Sequence, residues 1–113
     1  MTQTRDVMTS NPTACEPRAS VVDAAKVMAQ EDVGSIPIVE GDRLIGVVTD
    51  RDIVIRVVAE GREPQSVTVG DVASRDLVTV SPDEDLDRAL ELMAENQVRR
   101  LPVVEGDKLV GIV

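Results

Sequence analysis

Short apolar runs alternate with polar punctuation along the chain, and the period of the apolar positions changes from run to run. Thr13-Ala14-Cys15 is a brief extended run closed by Pro17 and predicts a short strand. Val21, Ala24 and Met28 then recur at helical spacing behind Ser20, with Asp23 three residues on, which predicts a helix opened by a capping box. Ile36-Pro37-Ile38-Val39 and Leu44-Ile45-Gly46-Val47-Val48 flank Gly41-Asp42 and predict a β-hairpin. Beyond it lies Ile53-Val54-Ile55-Arg56-Val57-Val58-Ala59, whose β-branched content favours a strand. A start signal at Thr49 or Asp50 and a stop near Gly61 predict a helix instead.

The same pattern then returns. Asp6-Val7, Pro17, Met28-Ala29 and Val33 recur as Asp71-Val72, Pro82, Met93-Ala94 and Val98. Pro37, Val39, Glu40-Gly41-Asp42, Leu44, Gly46 and Val48 recur as Pro102, Val104, Glu105-Gly106-Asp107, Leu109, Gly111 and Val113. Every pair keeps one separation without a gap (102 − 37 = 65). The chain is therefore a tandem repeat, with Val78-Thr79-Val80 as the second short strand and Leu86, Ala89, Leu90 and Met93 on the second helix. We expect an α/β (α+β) fold with two copies of strand–helix–strand–strand–helix. The expected division is 1–61 for the first copy, 62–66 for a linker around Pro64, and 67–113 for a truncated second copy without its closing helix. A half that lacks a helix leaves a sheet face to be covered from elsewhere. Together with the apolar stretch Ile53–Ala59, this predicts a homodimer.

Composition narrows the function. Of the 113 residues 42% are hydrophobic, yet none is Phe, Tyr or Trp, so the core is aliphatic. A net charge of −9 and the lack of aromatic stacking platforms argue against nucleic-acid binding. No apolar run approaches membrane-spanning length and the N-terminus lacks a signal-peptide pattern, so no membrane partner is expected and the cytoplasm is the expected location. With no histidine, the usual general base and the commonest zinc ligand are missing. Cys15 has no histidine partner and reads as an inert buried thiol. The acidic run Asp83-Glu84-Asp85-Asp87 lacks calcium-loop spacing and reads as helix-start charge. No catalytic residue, metal site or cofactor is expected.

Ile36-Pro37-Ile38-Val39 with Gly46-Val47-Val48-Thr49-Asp50-Arg51-Asp52, and Val98-Arg99-Arg100-Leu101-Pro102-Val103-Val104 with Gly111-Ile112-Val113, resemble the cystathionine-β-synthase-type (CBS) family. The chain is similar to small stand-alone bacterial CBS pairs, hypoxia-response types included. The resemblance implies two modules related by a pseudo-two-fold axis. It further implies an adenine nucleotide (AMP, ADP or ATP, with S-adenosylmethionine and NAD as relatives) in a cleft between them, and a regulated protein partner not identified by the sequence.

Gly46, Thr49 and Asp52 match the family's G-h-x-[S/T]-x-x-D pattern. On that match Asp52 would accept hydrogen bonds from the two ribose hydroxyls, because a carboxylate offers two acceptor oxygens to a cis-diol. Thr49 would donate to ribose or phosphate, and the free N–H groups of the helix start would favour an anion. Thr49-Asp50-Arg51-Asp52 is equally a T-x-x-D capping box. Arg99 and Arg100, entering a strand with opposite facing, would serve the phosphate, with Arg51 as a lesser candidate; surface arginines are the plain alternative. Thr13, Ala14, Val33, Ile36 and Pro37 would surround the base, and each is also an ordinary core candidate. The competing function is a ligand-free dimeric scaffold module.

Overall fold

A computed structural model describes all residues, 1–113. In chain order its elements are a 3-10 turn at Thr4–Asp6, β1 (Thr9–Ser10), α1 (Val21–Glu31), β2 (Ser35–Glu40), β3 (Arg43–Thr49) and α2 (Asp50–Ile53). A π-helical segment (Val54–Val58) continues α2, and a 3-10 turn at Pro64–Ser66 leads to α3 (Val69–Val72), α4 (Leu86–Asn96), β4 (Pro102–Glu105) and β5 (Lys108–Ile112). The mixed α/β class is the expected one.

Ser20 caps α1 as the sequence predicts, through one half of the expected capping box, and Asp85 caps α4. Ser20 Oγ accepts the Asp23 N–H at 3.1 Å and opens α1, and Asp85 Oδ1 accepts the Asp87 N–H at 3.1 Å to open α4. Both helices end on a left-handed residue at equivalent repeat positions, Asp32 and Gln97, each with φ 55°. The acidic run is spent locally: Asp85 caps α4, Asp87 lies in its first turn, and Asp83 pairs with Arg5. The hairpins also repeat. β2 pairs antiparallel with β3 and β4 with β5, each with a register shift at the same place, after Ile38 and after Val103. Gly41 (φ 68°) and Gly106 (φ 63°) take the positive φ that a two-residue hairpin turn requires at its first position.

The short strands expected at Thr13–Cys15 and Val78–Val80 are corrected to single parallel bridges, Cys15 to Ile38 and Val80 to Val103. Proline explains both. Cys15 N–H donates to Pro37 O at 3.0 Å, and Val39 N–H donates to Cys15 O at 2.9 Å. Extending that ladder one step either way would need an N–H from Pro37 or Pro17, and proline has none. Pro102 and Pro82 stop the second bridge in the same way. The helix after β3 forms as expected, but its second half is π-helical: Ala59 N–H reaches Val54 O at 2.9 Å.

Two compact units result, residues 13–77 and residues 1–12 with 78–113. They follow the repeat with one exchange: the leading segment of each sequence copy packs with the body of the other. In the unit 13–77, Val21 N–H donates to Val67 O (3.0 Å), Val69 N–H to Ala19 O (2.8 Å) and Gly70 N–H to Pro17 O (3.0 Å). In the other unit, Leu86 N–H donates to Thr2 O (2.9 Å), Thr4 N–H to Glu84 O (2.8 Å) and Arg5 N–H to Pro82 O (3.0 Å). These are the same bonds at repeat-equivalent positions. Each strap then meets the second hairpin strand of its unit, Ser74 on Val47 and Thr9 on Ile112. Gly46 and Gly111 make room for it. A Cβ on Gly46 would lie 3.1 Å from Ser74 O, and one on Gly111 2.9 Å from Thr9 O.

The core of 13–77 is wholly aliphatic: Val21, Ala24, Met28, Ile36, Ile38, Val48, Val57, Val67, Val69 and Val72. That of the other unit is smaller, with Val80, Ala89, Leu101 and Val103 fully buried. Thr4, the counterpart of Val69, is also fully buried, and its hydroxyl is satisfied by Glu84 O at 2.9 Å.

Candidate functional site

The end of β3 and the start of α2 gather the polar candidates of the unit 13–77. Thr49 is extended (φ −115°, ψ 162°) and is the N-cap. Its Oγ1 accepts the Asp52 N–H at 3.0 Å, while its own N–H donates to Asp52 Oδ2 at 2.9 Å. The capping box is thus fully formed. It leaves two functions over. Thr49 retains its O–H as a donor, and half-buried Asp52 retains Oδ1, which has no protein donor.

The expectation that free N–H groups at this helix start would favour an anion is corrected. Asp50 N–H donates to Gly34 O at 2.9 Å, Arg51 N–H to Asp50 Oδ1 at 2.8 Å, and Asp52 N–H to Thr49. Two carboxylates, Asp50 and Asp52, already occupy the positive end of the helix. Such a turn suits a neutral hydroxyl donor better than a phosphate. A Cβ on Gly34 would lie 3.1 Å from Asp50 Oδ2, the movable end of an exposed side chain. Gly34 was not singled out from the sequence; the signal was its mismatch with the repeat counterpart Arg99.

The apolar candidates converge on the same turn through β2. Ser35 pairs with Thr49, Ile36 with Val48 and Pro37 with Val47, and half-buried Val33 leads into that strand. Ile36 is only 1% exposed and belongs to the core, and Pro37 is buried as well. Ala14 is half-buried beside Cys15, whose bridge holds it to β2. Thr13 is exposed and its hydroxyl donates to Glu31 Oε1 at 3.1 Å, a contact the sequence did not suggest. Arg51 is exposed at the head of α2.

Arg99 and Arg100 belong to the other unit. They do not enter a strand with opposite facing: both are exposed in the loop before β4, which starts at Pro102. Thr49 and Asp52 thus belong to the unit 13–77, and Arg99 and Arg100 to the unit of 1–12 with 78–113. Cys15 is partly buried; burial, and then the charge of Asp23, push its thiol above the ordinary range. No group of three or more Cys, Asp or Glu side chains is placed to hold a metal ion, and no helix is long and apolar enough to cross a membrane.

The repeat, the doubled hairpins and the T-x-x-D turn are matched by one family model, the CBS domain, which covers residues 5–59 and 69–113. The chain belongs to the CBS-domain family. It is 43% identical over 113 residues to the CBS domain-containing protein YhcV of Bacillus subtilis, spanning 100% of this chain and 80% of that protein. To Hypoxic response protein 1 of Mycobacterium tuberculosis it is 40% identical over 114 residues, again across 100% and 80%. A crystal structure of Hypoxic Response Protein I, described with two coordinated zinc ions, superposes with a TM-score of 0.91 at 39% identity, covering 99% of this chain and 92% of the other. A further CBS protein, CBSX2 solved in complex with AMP, superposes with a TM-score of 0.86 at 28% identity, covering 100% and 90%. This places the chain among tandem CBS pairs.

Proposed function

We propose that this CBS pair is a non-catalytic regulatory module that binds an adenine nucleotide. Asp52 accepts the ribose hydroxyls through the oxygen its capping bond leaves over, and Thr49 donates its O–H alongside. Val33, Ala14 and the β2 entry around Ile36 and Pro37 flank the base, with Thr13 at the rim. Arg99 and Arg100, assisted by Arg51, meet the phosphate. The observation that carries the reading is the division of labour at Asp52, one carboxylate oxygen holding the helix start and the other without a protein donor. CBSX2 with AMP supports the ligand class. Occupancy would be passed to a protein partner, and two copies of the chain would pair.

The test follows from the missing chromophores. Without Trp or Tyr the purified protein is nearly transparent at ~280 nm, so a peak at ~260 nm reports co-purified nucleotide, identified by chromatography after denaturation. Asp52→Asn keeps an acceptor for the Thr49 N–H but loses the second carboxylate oxygen. It should leave the melting temperature nearly unchanged and weaken AMP binding at least about 10-fold, in line with the loss of a charge-assisted bond. Unchanged affinity would overturn the assignment. A stable dimer indifferent to every adenine nucleotide would establish the ligand-free scaffold instead, which the exposed apolar residues Val54, Ile55 and Val58 favour.

A further inference from the structure

The two straps hold their units by different means. In the unit 13–77 the strap sends three buried valines into the core, Val67, Val69 and Val72, with Ala73 packed beside them. Their repeat counterparts in the segment 1–12 are Thr2, Thr4, Val7 and Met8. Thr2 is exposed, Thr4 is buried but polar, and Val7 is 52% exposed. Met8 is therefore the one apolar side chain that this strap packs against the small core of Val80, Ala89, Leu101 and Val103. Its sulfur lies over the bare face of Gly111, where a Cβ would stand 2.7 Å from Sδ. The rest of the hold is polar: main-chain bonds, the pairing of β1 with β5, and the ion pair of Arg5 with Asp83. That ion pair is exposed and contributes little.

The chain's four methionines are unequally placed. Met28 is 8% exposed inside the core of 13–77, while Met1 is exposed and joins neither core. Met8 and Met93 are only partly buried, and both pack on the core of the other unit. A thioether within reach of solvent is open to two-electron oxidation by a hydroperoxide. The sulfur gives a lone pair to one peroxide oxygen, the S–O bond forms as the O–O bond breaks, and the second oxygen leaves with its proton as an alcohol or water. The resulting sulfoxide is polar, and seating its oxygen against Gly111 and four aliphatic side chains is opposed by space and by desolvation. We propose that Met8 is an oxidation-sensitive latch. Its conversion to the sulfoxide by a hydroperoxide frees residues 1–12 and loosens the unit they complete. The unit 13–77, whose strap carries no sulfur, keeps its fold. Reduction back to the thioether closes the latch again.

The full chain can be treated with graded doses of hydrogen peroxide, each methionine followed by peptide mass and the same samples by amide hydrogen exchange. In the native protein Met8 should gain its oxygen several-fold faster than Met28. Chains carrying the Met8 sulfoxide should lose protection at Leu86, Leu101 and Val113, while Val21, Val48 and Val69 keep theirs. Methionine sulfoxide reductase should restore the lost protection. Met8→Leu conserves volume and apolar character, and should stay protected through a dose that opens the unaltered chain. Met93→Leu should open like the unaltered chain. Complete oxidation of Met8 with unchanged protection across 78–113 would overturn the proposal, and that readout needs no variant. Oxidation of Met8 no faster than of Met28, or rescue by Met93→Leu alone, would overturn it as well.

Discussion

Residues 13–77 and the unit made of 1–12 with 78–113 are two solutions to one pattern, and their differences show what each part of the repeat does. Positions covered by the unit's own hairpin and strap are equally buried in both: Ala24 and Ala89, Ile36 and Leu101, Ile38 and Val103. Three other positions of the same core diverge. Val21, Met28 and Val48 are buried in the first unit, while their counterparts Leu86, Met93 and Val113 are only partly buried. Val57, on the segment that follows the first hairpin, is fully buried in the core of 13–77. Continuity differs as well. The unit 13–77 carries its strap, Val67–Ser74, on the same stretch of chain, whereas the other unit borrows residues 1–12 from the far end.

The sharpest way to break this comparison is to remove residues 1–12. The unit of 78–113 then loses the partners of Leu86 N–H and Glu84 O, the β1 pairing to β5 and the buried Thr4. Its small core cannot offset that loss against the entropy of ordering, so it should unfold outright. Residues 13–77 should stay folded. Amide hydrogen exchange resolves the two outcomes: protection should vanish throughout 78–113 and persist at Val21, Val48 and Val69. Uniform protection, or uniform loss, would show that the units are not separable in this way.

Much of this was legible in the sequence, for physical reasons that differ from place to place. Ser20, Gly41 and Gly106 announce caps and turns because those residue types solve a local backbone problem within a few positions. The capping box at Thr49 and Asp52 was legible on the same ground. Its leftover acceptor was not, because which carboxylate oxygen takes the bond is settled by geometry. The strap exchange escaped because its bonds run between main-chain groups and carry no side-chain code. Gly46, Gly70 and Gly111 mark it by close approach, and a glycine alone does not say which segment comes near. The short strands at Thr13 and Val78 shrink to single bridges because of Pro17, Pro37, Pro82 and Pro102, and the loss of a proline N–H matters only once the register is known.

Two of those glycines sharpen the comparison at a smaller scale. In Gly111→Ala the new methyl would stand 2.7 Å from Met8 Sδ and 2.9 Å from Thr9 O, the second a main-chain atom that cannot swing aside. In Gly46→Ala the nearest atom is Ser74 O at 3.1 Å. Overpacking of this kind costs about 1–3 kcal/mol, and the Gly111 variant should sit at the upper end and Gly46 at the lower. Urea midpoints of the two variants measure the difference. Equal midpoints would mean that the two straps lie against their strands with the same freedom.

The smallest effect belongs to Cys15, whose bridge to Ile38 has no thiol counterpart because Val80 stands at the equivalent position. Burial, and then Asp23, hold the folded thiol above its ordinary range. Below the range where an unfolded thiol ionises, both states keep the proton and the stabilisation is whole. As pH rises through that range the unfolded chain releases its proton first, so stability falls until the folded thiol ionises too. The reactive form is the thiolate, so alkylation of the native protein near neutral pH should be slow and should accelerate sharply once the chain is unfolded in urea. The unit 13–77 alone should show this pH-dependent loss, and Cys15→Val, which copies Val80, should remove it while leaving the rest of the profile unchanged. A native thiol that reacts as fast as the unfolded one would mean that the strand edge at Cys15 opens readily, and with it the side of the unit on which Ala14 and Thr13 lie.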